Sequence, residues 1–183
     1  MMRTSKQDWI DAGIQLLRDE GEHTLTIKRL CKRLEITKGS FYHHFGDLQK
    51  YQTALLEWWE SELTSKPIEI ANQEKNPKKR AQKLSETVRK LDHRLDLSVR
   101  TWGLRDENVK AFVHRVDQRR LESLTTIHQA IGHEQASALA KLEYVTFVGA
   151  QVLELMGEPG ELEFTLARSL ALLSKEFKAK KGR

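Results

Sequence analysis

The spacing of apolar side chains constrains this chain most, because apolar residues recur every three or four positions along most of its length. Near the N-terminus, Ile10, Ile14 and Leu17 follow this spacing, which places them on one face of a helix. No Asn-Gly or Asp-Gly pair links two alternating apolar segments, so the usual signal for a β-hairpin is missing. These patterns predict an all-α fold.

The composition limits the class of protein further. The single cysteine, Cys31, among 183 residues excludes an internal disulfide framework and a cysteine-rich zinc site. No apolar run reaches the roughly 18 residues that a membrane span requires. The first eleven residues are charged and lack the apolar centre of a secretion signal. We therefore expect a reduced, cytoplasmic protein that does not enter a membrane.

The periodic pattern also suggests where the domains lie. It weakens between Pro67 and Pro77, where polar residues dominate. We predict an N-terminal three-helix domain over residues 1–50, with a fourth helix over about 47–65 as the connection. Residues 66–183 are then predicted to form a second helical domain, which dimerises.

Two C-terminal segments support the dimerisation part of this prediction. Residues 134–156 and 161–177 are apolar on more than one helical face, as expected for helices that are buried on several sides. A pair of such helices in each of two subunits can form a four-helix interface. The sequence therefore predicts a homodimer through these two helices.

A helix-turn-helix pattern is the clearest candidate for a functional site. Two short helices are predicted after Thr26 and over Lys38 to Phe45, separated by Glu35, Ile36 and Thr37. Thr37 can cap the second helix, and Phe41 and Phe45 can hold it to the core. In DNA-binding proteins the second helix enters the major groove. The side chains then expected at the groove are Lys38, Gly39, Ser40, Tyr42 and His43, with His44 at the margin.

The charge distribution agrees with a nucleic-acid partner. Residues 28–50 contain six basic and two acidic side chains, so they carry +4 of the chain's formal net charge of +5. The rest of the chain sums to only +1. A basic surface binds phosphates by releasing their counterions. An ordinary helical hairpin with solvated charges is the alternative interpretation of the same segment.

The order of residues in this segment makes the interpretation specific. The stretch TIKRLCKRLEITKGSFYHHF, from Thr26 to Phe45, resembles the DNA-binding signature of the tetracycline-repressor-like (TetR) family. The resemblance implies that residues 1–50 form the DNA-binding domain and that residues 66–183 form a ligand-binding and dimerisation domain. It implies a homodimer that binds a near-palindromic double-stranded DNA operator and is released by a small-molecule effector. It also implies a regulator that is usually a repressor, in the cytoplasm and associated with the bacterial nucleoid.

The resemblance also implies which residues contact DNA. The family's contacts fall on residues with hydroxyl, basic or very small side chains at the start and outer face of the two helices: Thr26, Thr37, Lys38, Gly39, Ser40, Tyr42 and His43. We add Lys28, on the outer face of the first helix, and Lys50. Lys50 can replace a lysine that many members carry two residues earlier.

Two departures from the family pattern support a different function. Glu35 stands where the family usually has a turn glycine, a position that can require positive φ. Leu48 stands where many members have the lysine that contacts phosphate. The alternative function is therefore a helical protein-interaction adaptor that has lost DNA binding.

Candidate effector contacts are harder to assign from the sequence. Trp102, His114, Arg120 and His128 can line a pocket, although core packing suits Trp102 and surface exposure suits each histidine equally well. Arg120 falls on an apolar stripe, where a charge needs a partner. That partner is either an acidic side chain such as Asp117 or Glu143 (the interpretation we favour) or an acidic effector.

Other chemistry has little support. No ordered catalytic triad, glycine-rich phosphate loop or HExxH motif occurs, so we predict no enzymatic activity, no cofactor and no metal site. His43 and His44 point about 100° apart on a helix, which suits one metal ion poorly. The basic cluster Lys78, Lys79, Arg80 and Lys83 is interpreted as a solvated helix face, with a second nucleic-acid site as the alternative.

Overall fold

The computed structural model describes residues 4–153, and every regular element within that range is a helix. The predicted all-α fold is therefore confirmed. A 3-10 turn, Glu22–Thr24, follows the first helix. The α-helices are α1 (Lys6–Glu20), α2 (Ile27–Leu34), α3 (Lys38–Phe45), α4 (Leu48–Glu60), α5 (Lys66–Asn72), α6 (Pro77–Val88), α7 (His93–Gly103), α8 (Glu107–Ile131) and α9 (Ala136–Val152).

The first helices begin where the sequence supplies capping side chains. Ser5 accepts a hydrogen bond from the Asp8 backbone N–H, and the Asp8 carboxylate accepts one from the Ser5 N–H, which completes a capping box. Thr26 caps α2 by accepting from the Arg29 N–H at 3.3 Å. Asp47 caps α4 in the same way. These local hydrogen bonds explain why the beginnings of the helices agree with the sequence prediction.

The connecting helix is longer than predicted. Helical backbone continues beyond residue 65 through α5, which ends at Asn72, after a π-helical turn over Ser61–Ser65. Pro67 lies inside this continuous helix, just after the π-helical turn, so its missing N–H costs one intrahelical hydrogen bond. The weakening of the apolar pattern predicts that the helix ends near residue 65. In the structure the helix continues past the proline to Asn72.

The described residues divide into two compact units that part between Arg119 and Arg120. The core of the first unit is continuous from α1 to α8, and its largest fully buried side chains include Trp9, Phe41 and Trp59. The predicted domains, residues 1–50 and 66–183, stay a prediction. The predicted helix over 161–177 lies outside the described residues. Within those residues, no helix has the length and apolar character that crossing a membrane requires.

Candidate nucleic-acid interface

The turn between α2 and α3 depends on a left-handed residue. Glu35 has φ 56° and ψ 39° and lies directly after α2. The Ile36 N–H donates to the Cys31 carbonyl at 3.0 Å, and the Glu35 N–H donates to the Lys32 carbonyl at 3.4 Å, which is the hydrogen-bond pattern of a Schellman cap. The positive φ expected at this position is confirmed. Glu35 therefore preserves the turn despite its side chain.

Helix α3 is held to the core by its two phenylalanines. Phe41 is fully buried and Phe45 is 8% exposed. The Phe41 ring meets the edge of Trp9 on α1 at 5.4 Å between centroids. Tyr51 on α4 lies 5.5 Å from Phe41 and 5.0 Å from Phe45, again between centroids. Aromatic side chains from α1 and α4 therefore fix the orientation of α3.

A close approach of α1 and α4 supports this arrangement. Tyr51 Oη donates a hydrogen bond to the Trp9 backbone carbonyl at 2.9 Å, in the buried core. Gly13 lies beside that hydroxyl, and a Cβ at Gly13 would be only 1.8 Å from Tyr51 Oη. Burial of the phenol raises the pKa of Tyr51. Tyr51 therefore stays neutral and continues to donate at physiological pH.

The nine predicted contact residues, which we call the recognition surface, are accessible to solvent. Eight of the nine are exposed and Ser40 is half-buried. These residues are Thr26, Lys28, Thr37, Lys38, Gly39, Ser40, Tyr42, His43 and Lys50. Tyr42 is 51% exposed although it is aromatic. An exposed aromatic ring beside basic side chains indicates a binding surface rather than a packing residue.

The first turn of α3 leaves the backbone N–H groups of Lys38 and Gly39 without an intrahelical acceptor, whereas the Ser40 N–H donates to the Thr37 carbonyl at 3.1 Å. Thr37 occupies the position before the helix, but its side chain makes no capping hydrogen bond, so the predicted cap is wrong in that respect. Gly39 has no side chain, and a Cβ there would meet only Thr37 Oγ1 at 3.7 Å. Unpaired N–H groups at a helix start bind anions well. This end of α3 can therefore accept a phosphate.

The basic side chains around α3 have two different roles. Arg29 pairs with Glu20, and Arg33 donates to Gln15 Oε1 at 2.6 and 3.0 Å, so both bind α2 to α1. Within residues 4–153, Lys28 and Lys38 make no ion pair. Their charges are thus available to a polyanion.

The start of α4 lies at the edge of the recognition surface. The Lys50 N–H donates to Asp47 Oδ1 at 2.7 Å, which holds the pKa of Asp47 below its ordinary value. Lys50 Nζ lies 3.4 Å from the same carboxylate and is 72% exposed. Leu48 is half-buried against the core, which gives it a packing role. Lys50 is therefore the basic side chain that α4 offers near the groove.

Cys31 has a packing role, and the neighbouring pair His43 and His44 does not form part of a metal site among the described residues. Cys31 is 8% exposed within the core, and burial raises the pKa of its thiol, which agrees with a packing role. The rings of His43 and His44 lie 5.4 Å apart. No group of three or more metal-ligating side chains occurs among residues 4–153.

A recess of about 270 Å³ lies in the first unit, between the start of α4 and the beginning of α8. Its lining includes Gln49, Gln52 and Trp102, and Trp102 is 4% exposed. His114, by contrast, is exposed on α8 and does not line the recess. The recess is slightly smaller than most ligand pockets, and its lining also includes the charged residues Asp106 and Arg115.

The other two candidate effector residues lie in the second unit. Arg120 Nη1 donates to Tyr144 Oη at 3.4 Å, and His128 Nε2 lies 2.8 Å from Glu143 Oε2. Glu143, proposed from the sequence as a partner for Arg120, thus contacts His128. Both contacts join α8 to α9 within that unit.

A buried ion-pair chain in the first unit was not anticipated from the sequence. Asp96 on α7 is 1% exposed and accepts from Trp59 Nε1 at 3.2 Å and Arg100 Nε at 3.0 Å. Arg100 also donates to both carboxylate oxygens of Asp117, at 2.7 and 3.1 Å. The i, i+4 spacing of Asp96 and Arg100 was the available signal. The chain joins α4, α7 and α8.

Comparison with known proteins agrees with this geometry. Residues 10–49 match the family described as bacterial regulatory proteins, tetR family. Residues 10–49 are thus similar to the N-terminal region of tetR-family regulators. A solved structure described as a TetR/AcrR family member shares the fold, with a TM-score of 0.76 at 18% identity over 92% of this chain and 97% of that one. No curated protein matches the chain in sequence.

The match over residues 10–49 supports a broad activity. That activity is DNA-binding transcriptional regulation through a helix-turn-helix. The matched segment, residues 10–49, contains most of α1, all of α2 and α3, and the start of α4. It thus contains every predicted DNA contact except Lys50.

Proposed function

We propose that this chain is a tetR-family repressor that binds a near-palindromic operator as a homodimer. The observation that carries the proposal is the recognition surface, in which exposed polar and basic side chains surround a helix anchored by buried phenylalanines. Lys38, Gly39 and Ser40 contact base edges, Tyr42 and Thr37 bond phosphate oxygens, and His43 contacts either. Thr26, Lys28 and Lys50 add phosphate contacts at the two margins.

The dimer part of the proposal is supported by α9. Val145 and Val152 are 68% and 57% exposed, and they lie seven residues apart, which places them on one helical face. Exposed apolar side chains on one face suit an interface between two copies. Two recognition helices on one side of the duplex then lie about 34–36 Å apart if they read successive major grooves.

Release by a small-molecule effector completes the proposed cycle. The recess that contains Trp102 borders α4, which follows the recognition helix directly, so an occupant there contacts the helix next to DNA. Trp102, Arg120 and His128 stay our candidate effector residues, with His114 as a surface candidate. An effector weakens operator binding only by the difference in its affinity for the two states of the protein. We place the protein in the cytoplasm, at the nucleoid, without cofactor, metal or enzymatic activity.

The alternative function is a helical adaptor that no longer binds DNA. Its sequence support was Glu35 and Leu48. The intact turn at Glu35 and the exposed Lys50 next to Leu48 remove much of the physical reason for it. The recognition surface therefore favours the repressor.

Selection of genomic fragments by the purified protein tests both possibilities. The repressor hypothesis predicts enrichment of a short two-fold symmetric site, and a solution mass twice that of one chain. An adaptor instead gives no enrichment even at low salt. A monomeric mass that does not change with concentration would contradict the dimer while leaving DNA binding open to the same selection.

A further inference from the structure

A second basic region lies far from the recognition surface along the chain. Residues 75–94 contain eight basic and two acidic side chains and therefore carry +6, more than the +4 of residues 28–50. Since the whole chain carries +5, the other 140 residues carry −5. The charge of +1 outside residues 28–50 is therefore the sum of +6 in residues 75–94 and −5 in the other 140 residues.

The five lysines of this segment are exposed and lie on α6 or just beside its ends: Lys75, Lys78, Lys79, Lys83 and Lys90. Lys78, Lys79 and Lys83 lie within α6, and at 100° per residue they fall within an arc of about 140°, opposite the buried Leu84. We call these three residues the lysine face, and Lys75 and Lys90 lie just beyond the two ends of the helix. Within residues 4–153 none of the five makes an ion pair.

The acidic residues of the segment do not neutralise the lysine face. Glu86 lies within the arc, where it accepts a hydrogen bond from Gln82 at 2.9 Å. Asp92 caps α7 and pairs with Arg18 on α1 at 3.3 Å. Concentrated like charges repel one another and oppose the compact fold. A ligand that neutralises them removes this repulsion.

The chemistry of the face favours a duplex over a membrane. The large apolar side chains that are exposed in the described residues all lie outside 75–94, so the lysine face has nothing to insert among lipid chains. From Lys78 to Lys83 the lysine face spans about 8 Å at 1.5 Å per residue. That length covers about three consecutive phosphates of one strand at 3.4 Å each.

The duplex at the lysine face is a different one from the duplex on α3. Helical backbone runs from Leu48, next to α3, to Asn72, shortly before α6. Its 25 residues span roughly 37 Å at 1.5 Å each. Lys78 and Lys79 at the start of α6 therefore lie a long way from the recognition helix. We propose that the lysine face binds a second duplex without sequence preference, so that the protein bridges two DNA segments.

A two-duplex capture experiment tests this proposal. An immobilised random-sequence 20-bp duplex is loaded with protein at low salt, and capture of a second, labelled duplex of the same length is measured. The variant Lys78→Gln/Lys79→Gln/Lys83→Gln is compared with Lys66→Gln/Lys110→Gln/Lys141→Gln, which removes the same charge from exposed positions elsewhere. We expect at least about a fivefold loss of capture in the first variant only, because it loses about three phosphate contacts.

Two other outcomes would overturn the proposal. Undiminished capture in the first variant means that the lysine face is only solvated. Binding of the wild type to phosphatidylserine vesicles, lost in the first variant while duplex capture persists, identifies a membrane surface instead. Neither result changes the selection of a symmetric genomic site, because Lys38 is intact in both variants. A failure of the bridging proposal can therefore be distinguished from a failure of the repressor function.

Discussion

The contact between Gly13 and Tyr51 predicts a large effect from a very small substitution. A methyl group at Gly13 would lie 1.8 Å from Tyr51 Oη, whereas ordinary contact begins near 3.4 Å. The hydroxyl must therefore move by about 1.6 Å, and its 2.9 Å hydrogen bond to the Trp9 carbonyl is lost. Leu55 Cδ1, at 2.8 Å from the same Cβ, blocks part of the escape.

The magnitude follows from opposing effects. Overpacking a core costs about 1–3 kcal/mol, and loss of a buried hydrogen bond adds about 1 kcal/mol. Replacing glycine by alanine in a helix stabilises the folded state by about 1 kcal/mol, which offsets part of this cost. We expect Gly13→Ala to destabilise the fold by about 2 kcal/mol, which lowers Tm by several degrees for a chain of this size.

Calorimetry at one protein concentration measures this effect. Gly39→Ala is the matched control, because a Cβ there meets only one atom, at 3.7 Å, so its Tm should stay the same or rise. In a Tyr51→Phe background, which lacks the hydroxyl, Gly13→Ala should cost about 1 kcal/mol less than in the wild type. A Gly13→Ala protein as stable as the control would refute the reasoning.

Three further predictions concern the turn and the helix starts. Glu35→Gly removes the cost of a left-handed residue and should raise stability by about 1 kcal/mol in urea unfolding, whereas Glu35→Gln should leave stability nearly unchanged. Gly39→Ala should weaken operator binding about tenfold in fluorescence anisotropy, because a methyl group blocks close approach to DNA. Asp47 has a lowered pKa, so its stabilisation is complete above about pH 4 and is lost as the pH falls through the folded pKa. A pH series of Tm should show a smaller loss in Asp47→Asn than in the wild type, because Asp8, Asp19 and Glu22 also have lowered pKa values and lose stabilisation on acidification.

The features predicted well from the sequence are those determined by neighbouring residues. Thr26 and Asp47 cap helices through hydrogen bonds to residues three positions away. Glu35 adopts positive φ because the adjoining α2 ends in a Schellman cap. Each of these depends on a few adjacent side chains, which a single sequence displays directly.

The features that were missed depend on residues distant in sequence. Trp59 and Asp96 are 37 positions apart, and Gly13 meets Tyr51 across the interface of α1 and α4. Periodicity marks all four positions as inward but does not identify which inward residues touch. The π-helical turn before Pro67 was missed for a similar reason, since tertiary packing overrides weak local preferences.

The central claim is that the exposed face of α3 binds the operator. The most direct measurement compares operator affinity, at one salt concentration, for the wild type, Lys38→Ala and Tyr42→Phe. Lys110→Ala, an exposed lysine on α8, is the control. For each subunit of the proposed homodimer, we predict about tenfold weaker binding for Lys38→Ala and about fivefold for Tyr42→Phe through loss of one hydrogen bond. The effects of the two subunits multiply on a full operator, and we predict no change for Lys110→Ala. Unchanged affinity in both α3 variants would contradict the claim.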